Sequence, residues 1–543
     1  MRHYQWLGTD SKIYMGNWTF NGQNTENPAS PTRTGDGFAD WALGLPANGG
    51  RGYPSDTFGG SYNSWQFFVQ DDYKVSNRLT LNIGLRYEHT PWATSYRGQT
   101  GTFDGTQARP IIVAGRTKDI DLAAQPAAAT AYGYLKDLIQ TSSEAGLPYS
   151  ITYPDNTQWA PRFGFAWRPI GETTVIRGGY GIFYEGEYTD GRVNLNMPPF
   201  NLGDSALNDR GVIPNRTLAD FYLGAPLGSP NSTITLGPEY THMKMGYDQH
   251  WNLGLQQQVS KTMMADIEYV GNKGSNIQGS DGFNIPDPGA GGVQARRPFP
   301  RYAGFGYIAS DVSTTYHALQ AKFEKRMSAG VWFLGSYTFS KSLWVTNTPA
   351  AGGRYRFEKG PSEYQVPHSF SFSSGYELPF GKGRHFLDNA NRVTNAVVGG
   401  WQVQGILLFR SGVPYTVILS RDVANTGVGS QRPDRIASGK LETPTLEKWF
   451  DTSAFVIPAN FTYGNSGLRI LPTDIVRTID FSMFKQFQVT ERSRLQFRLE
   501  AFNLPNTPSF AAPNSTLDTG TVGRVTSTST SPRQVQVALK FYF

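Results

Sequence analysis

The run LTLNIGLRYE, Leu79–Glu88, decides the fold. Leu79, Leu81, Ile83, Leu85 and Tyr87 fall on one face of an extended chain, and Thr80, Asn82, Gly84, Arg86 and Glu88 on the other. Strict alternation with period two is the signature of a β-strand with a single apolar face. Immediately upstream, Phe67, Val69, Tyr73 and Val75 alternate with Gln70, Asp72 and Lys74, and only Ser76-Asn77-Arg78 intervenes. The two runs read as a hairpin.

The unit recurs outward from there. Phe163, Phe165 and Trp167 alternate with Arg162, Gly164, Ala166 and Arg168, and the chain returns through 173–184. Similar pairs follow at 251–256 with 263–270, at 319–324 with 331–341, at 370–378 with 401–409, and at 479–483 with 495–499. The last run places Val535, Val537, Leu539, Phe541 and Phe543 on one face. With a first strand expected at Ile13–Phe20, the count is about fourteen strands of roughly 10–13 residues. Ten residues at about 3.3 Å each, tilted by about 45°, span about 23 Å, close to the apolar band of about 25 Å in an outer-membrane barrel.

Composition narrows the alternatives. The chain has 543 residues, 14% of them aromatic but only 38% hydrophobic, with 60 Gly and 34 Pro. Helical periodicity is nearly absent; Ala127–Gln140 is the one expected helix, inside a connection. No run approaches the roughly 18 apolar residues of a membrane-spanning helix, which does not exclude a membrane protein, because barrel strands hide their hydrophobicity by alternating it. A net charge of +6, spread without a basic stripe, points away from nucleic acid. With no cysteine, disulfide scaffolds, thiolate metal sites and cysteine nucleophiles are excluded. MRHYQWLGTD lacks the apolar core and the small-residue cleavage site of a signal peptide, so either the chain is not exported or Met1 is not its true start.

Short connections alternate with long ones at about 89–157, 185–247, 271–314, 343–368 and 411–473, with 381–395 as the exception among the short turns. A membrane barrel has this asymmetry because its two rims face different compartments. The long connections are expected to be extracellular. They are rich in Asn, Gly, Pro and aromatics, which suits ligand capture and equally suits plain solvated loops. Arg86, Glu88, Arg162, Arg177, Lys322, Glu324, Arg410, Arg498 and Glu500 lie opposite the apolar positions and are expected to face a hydrated lumen. Trp65, Tyr73, Tyr87, Trp167, Tyr184, Trp251, Tyr269 and Trp344 sit near strand ends, where aromatic rings favour the membrane interface.

Enzyme chemistry finds no support. Seven scattered histidines form no spaced metal motif. Arg177–Gly181 (RGGYG) lacks the Lys-Ser/Thr of a phosphate loop, and its glycines relieve crowding in a strand. No G-x-S-x-G elbow is present, and Asp71 and Asp72 point to opposite faces. No cofactor is expected.

Taken in order, FADWALGLP (38–46), WQFFVQDDYKVSNRLTLNIGLRYE (65–88), APRFGFAWRPIGETTVIRGGYGIFY (160–184), YHALQAKFEKR (316–326), GSYTFSKSL (335–343), LQFRLEAFNLPNTPSF (495–510) and PRQVQVALKFYF (532–543) resemble the barrel region of TonB-dependent receptors. The likeness is to the Oar-like type, which carries a carboxypeptidase-regulatory-like domain upstream. It implies an all-β, antiparallel transmembrane outer-membrane barrel, here about 14 strands of about 22, with the plug, the TonB-engaging segment and the signal peptide absent. It implies outer-membrane lipid, the barrel-assembly machinery and, through the missing N-terminal part, the TonB complex as partners. Gln536, Ala538, Phe541 and Phe543 resemble the C-terminal signal read by that machinery. The implied function is energised uptake of an oligosaccharide, peptide or metal chelate. The alternatives are a passive porin, a structural or adhesive surface barrel, or a soluble carbohydrate-binding β protein.

Overall fold

A computed structural model describes residues 1–9, 16–27, 34–52, 57–96, 98, 100–115, 133, 135–185, 197–198, 203–208, 214, 216–221, 233–349 and 355–543. Its main feature is one antiparallel sheet, in which fourteen strands follow one another in chain order. They are β1 Arg2–Thr9, β2 Thr57–Ser76, β3 Leu79–His89, β4 Trp159–Trp167, β5 Thr174–Tyr184, β6 Tyr247–Gln258 and β7 Met263–Phe283. The path continues through β8 Phe305–Ser328, β9 Val331–Pro349, β10 His368–Glu377, β11 Trp401–Arg410, β12 Val476–Gln488, β13 Arg494–Phe502 and β14 Gln534–Tyr542.

Thirteen of these coincide with the expected runs; the first does not. Residues 10–15 of the expected strand Ile13–Phe20 lie outside the described residues, and Asn17–Thr19 joins a separate small sheet with Asn48–Gly52 and Gly203–Leu207. The first strand is instead Arg2–Thr9, paired with the Thr57–Ser64 half of β2. The remaining half, Trp65 onward, pairs with β3. Among the described residues, no strand pairs with the other edge of that half or with the outer edge of β14, so the sheet is not closed.

Several strands exceed the expected 10–13 residues: β2 has 20, β7 has 21, β8 has 24 and β9 has 19. Pairing of β7 with β8 continues to Phe283↔Phe305, well into the span 271–314 expected as a loop, and β9 likewise runs into 343–368. The reason is local alternation too weak to read: GSNIQGSDGF interleaves small and polar residues, and two register shifts between Gly274 and Gly279 interrupt its period. Of the expected helix Ala127–Gln140, residues 127–132 and 134 lie outside the described residues, and Ile139 and Gln140 enter a short strand. Among the described residues, no helix is long and apolar enough to cross a membrane.

Two-residue turns close two of the hairpins. Ser328 pairs with Val331 around Ala329 (φ 51°) and Gly330 (φ 77°), and Lys325 Nζ donates to Ser328 O and Val331 O, both at 2.7 Å. Positive φ at both central residues gives the turn a twist that matches the strands.

Burial is inverted relative to a soluble protein. Leu253, Ile267, Leu319, Phe339, Val537 and Leu539 are all exposed on the apolar face of the sheet. Among the described residues, the nine largest fully buried side chains, with Phe221, Ile111, Leu135, Leu419 and Phe450 among them, all lie in the connections. An apolar sheet face open over this extent needs lipid against it, because soluble monomers rarely expose such patches. Adjacent residues of β8 test this directly: Leu319 is on the apolar face and Gln320 on the polar one. In equilibrium unfolding from phospholipid vesicles, Leu319→Arg is expected to cost about 2–4 kcal/mol, and Gln320→Arg to stay within about 0.5 kcal/mol of the wild type.

Candidate functional site

Register puts all nine charged positions expected in a lumen on the polar face. Cα partners link Arg86 through Ala160 and Arg162 to Gly181, and Ala166 to Arg177. From Arg177 the same face continues through Gly254, Glu268, Gln320 and Thr338 to Ser369 and Arg410, with Lys322 and Glu324 alongside. Arg498 and Glu500 follow opposite Phe484 and Ser482. Gln536 and Ala538 pair with Glu500 and Arg498, while Phe541 takes the apolar face and Phe543 stands exposed beyond the strand end.

Most of these charges pair across or along strands. Arg177 Nη2 donates to Asp266 Oδ2 at 2.9 Å and lies 3.5 Å from Glu268 Oε2. Arg86 Nε meets Glu88 Oε1 at 2.5 Å, Lys322 Nζ meets Glu324 at 3.0 Å, and Arg498 Nη2 meets Glu500 at 2.6 Å. Gln536 Nε2 donates to the other Glu500 oxygen at 2.5 Å. Arg162 lies over the Phe183 ring, 4.5 Å from its centroid. Partly hydrated pairs of this kind are worth little individually, but on an apolar face they would be untenable. Asp72 accepts from Asn82 at 2.6 Å on the polar face, whereas Asp71 sits opposite Ile83 on the other, so the two carboxylates do not cooperate.

The long connections all leave one rim, since consecutive strands are antiparallel. They include a connection that sequence reading passed over, 503–533 between β13 and β14. Their described residues are folded rather than merely solvated. One apolar core packs Phe103, Ile111, Leu135, Met197, Ile234 and Tyr302 from several connections, and a second packs Val417, Leu419, Phe450, Phe455, Leu471 and Leu517. Three-stranded pairing of Gly101–Phe103, Ile111–Val113 and Ile139–Thr141 underlies the first core.

Polar ties cross between connections. Arg421 meets Glu26 and Asp518, each at 2.8 Å, with all three side chains buried. Arg432 grips Glu358 with two bonds, at 2.9 and 2.7 Å. Buried Arg297 donates to Asn284 O at 2.6 Å; burial brings its pKa down to about 10, partly offset by the neighbouring Asp422. Asp155 accepts from the Met245 N–H at 3.0 Å and from the Thr157 hydroxyl at 2.6 Å. Burial pushes the Asp155 carboxyl upward, but the Thr157 hydroxyl, the Met245 and Thr157 amides and the Lys244 ammonium outweigh it and hold the pKa below the ordinary value.

Between these connections lies a cavity of about 720 Å³, walled by Phe103, Asp104, Gln107, Tyr240, Phe283, Asn284, Phe299 and Tyr307. Tyr240 and Tyr307 stack with centroids 4.6 Å apart, and Tyr240 Oη donates to Asp281 at 2.5 Å. Thr106 donates its hydroxyl to Asp104 at 2.7 Å. That bond, against the upward push of burial and with help from the Thr106 amide and Gln107, holds the Asp104 pKa below its ordinary value. A Cβ at Gly105 would come within 2.3 Å of the Phe299 ring, so glycine keeps this wall open. Aromatic faces beside an ionised carboxylate and two amides suit a polar ligand with apolar surfaces and hydroxyl or N–H donors. Among the described residues, no group of three His, Cys, Asp or Glu is placed to hold a metal ion. Sequence signals for the cavity were compositional only: its walls come from positions more than 200 residues apart, as the bond from Tyr307 Oη to Phe103 O at 2.6 Å shows.

A membrane barrel with a folded rim is the class of protein that this geometry defines. The sequence profile of the outer membrane beta barrel domain matches residues 1–536, and the chain belongs to that family. That membership places it in the outer membrane. A search of curated proteins returns no match. Among solved structures, the chain is similar to the outer membrane transporter YddB from Escherichia coli, with 11% identity over 91% of this chain and 55% of that one and a TM-score of 0.43. It is similar to the pyoverdine outer membrane receptor FpvA from Pseudomonas aeruginosa, with 8% identity, 90% and 43% coverage and a TM-score of 0.43. For BauA, the ferric preacinetobactin receptor from Acinetobacter baumannii, the values are 10%, 92% and 44%, with a TM-score of 0.39. The chain thus spans about half the length of these structures, or less.

Arg421→Met is expected to open the rim locally at a cost of about 3–5 kcal/mol, because it strands two buried carboxylates; faster hydrogen exchange at the Ser420 and Leu517 amides reads the loss. For Asp155 the folded pKa is depressed, so its stabilisation is complete above the ordinary carboxylate range and fades as pH falls through the lowered value. Exchange at the Met245 amide, corrected for its intrinsic pH dependence, should therefore be faster in Asp155→Asn than in the wild type at neutral pH, and the difference should shrink only as the pH falls below the ordinary carboxylate range.

Proposed function

We propose that this chain is the barrel region of an outer-membrane TonB-dependent receptor of the Oar-like type, which captures a solute at its long-connection rim for energised uptake. The observation that carries the reading is the aromatic- and carboxylate-lined cavity, held open within a folded rim layer. The polar face with its nine charges supports a hydrated lumen, and the long connections are the extracellular side. The unpaired edges of β2 and β14 support a larger barrel, since backbone groups left open in hydrocarbon cost several kcal/mol each. TonB engages through the N-terminal part of the receptor, and an upstream carboxypeptidase-regulatory-like domain completes it. Barrel-assembly machinery reads Gln536, Ala538, Phe541 and Phe543. The solute is an oligosaccharide, a peptide or a metal chelate; the named ligands of FpvA and BauA belong to the last class.

The test uses the native gene. Cells lacking the receptor, and separately cells lacking TonB, are offered labelled oligosaccharides, peptides and metal chelates. The same solute should be lost in both, and Phe299→Ala in the intact receptor should reduce its uptake at low concentration with surface expression unchanged. Uptake that requires the receptor but not TonB would identify a passive porin, and no lost solute at all would favour a structural or adhesive role.

A further inference from the structure

One element of the short-turn rim takes no part in the sheet or the cavity. Residues 379–400, PFGKGRHFLDNANRVTNAVVGG, connect β10 to β11 where the other connections of that rim are brief. They contain a helix, Arg392–Val398, which starts at Asn391, whose side chain accepts from the Thr394 N–H at 2.9 Å. Gly400, at φ +75°, turns the chain into β11.

The helix is fastened to the lipid side of the sheet. Lys485 lies on the apolar face of β12, opposite Trp401. A lysine there is costly unless its ammonium is satisfied. Its Nζ donates to Ala396 O at 2.6 Å and lies 4.9 Å from the Phe487 ring centroid, so that Lys485 is only 4% exposed. Trp401 Nε1 donates to Val397 O at 2.8 Å. Two side chains of the apolar face thus serve the otherwise open carbonyls of the last helical turn, where a cation is also favoured.

What the helix turns outward is apolar. Val393 and Val397, one turn apart on one face, are 74% and 65% exposed. Phe386 and Leu387 are exposed just upstream, and Lys382 and Arg392 are exposed beside them. A short helix with valines on one side and cations at its flank suits the boundary between acyl chains and headgroups. This surface is also continuous with the lipid-facing sheet through Trp401 and Phe487.

We infer that residues 379–400 form an interfacial foot, seated in the leaflet at the short-turn rim. Val393, Val397, Phe386 and Leu387 enter the acyl boundary, and Lys382 and Arg392 meet lipid phosphates. The inference rests on the membrane placement of the sheet and is independent of the uptake reading.

Because the chain has no cysteine, single-site spin labels report cleanly. Val393→Cys and Val397→Cys are labelled in the full chain in vesicles of phosphatidylethanolamine and phosphatidylglycerol, with Leu319→Cys as the lipid-face reference and Asn77→Cys as the water-exposed turn. Collision with oxygen and with a water-soluble nickel chelate gives depth. The expected result is an oxygen-to-nickel ratio at 393 and 397 several-fold above that at 77 and below that at 319. Nickel access at 393 and 397 equal to that at 77 would overturn the foot while leaving the barrel intact. Exclusion of both probes would also overturn it, in favour of a protein contact. A Leu319 label open to nickel would overturn the membrane placement, and the foot with it.

Discussion

Backbone hydrogen bonding in a medium without water is the constraint on which the rest of this structure depends. Every peptide group at membrane depth needs a partner, and an extended chain finds one only on a neighbouring strand. That requirement explains the unbroken antiparallel path from β1 to β14 and the brevity of most connections on one rim. It also frees the side chains. Since the ladder holds the sheet together, neither face has to be buried against protein, and one meets lipid while the other carries Arg–carboxylate pairs.

The usual relation between strands and core is therefore reversed. The lipid-side face of the strands is exposed and apolar, while the largest fully buried side chains among the described residues lie in the connections, in cores around Ile111 and Leu135 and around Leu419 and Phe450. Long connections that bury their own apolar residues make a defined surface, and the Glu26–Arg421–Asp518 cluster ties three of them together. A buried ionic cluster is a weak source of net stability but a strict one of geometry, because each charge tolerates only a few arrangements. A rim built this way can hold the Tyr240–Tyr307 stack and Asp104 around one cavity.

The sheet was legible wherever alternation was strict. Leu79–Glu88 and Phe163–Trp167 could be read directly, because shifting a strand by one residue would turn every leucine and phenylalanine to the wrong face. The first strand was misplaced because 2–9 and 13–20 both mix aromatic and polar residues, and only pairing with Thr57–Ser64 selects Arg2–Thr9. The span from Gly274 to Phe283 in β7 reads as loop because small and polar residues and two register shifts interrupt its alternation. The cavity was not legible at all: Phe103 and Tyr307 meet through a hydrogen bond that no local pattern announces.

Sequence alone determined thirteen of the fourteen strands in their alternating stretches, their two faces and hence the kind of solvent each face needs, because a period of two is a local property fixed by the geometry of the extended chain. It also determined the nine charged positions of the polar face, since parity within a strand follows from counting. Tertiary structure decided which strand edges stay open, how far the hairpins rise beyond the membrane and which distant connections share a core. Those outcomes depend on contacts between residues far apart in the chain, such as Arg421 with Glu26 and Asp518, and only packing selects among them.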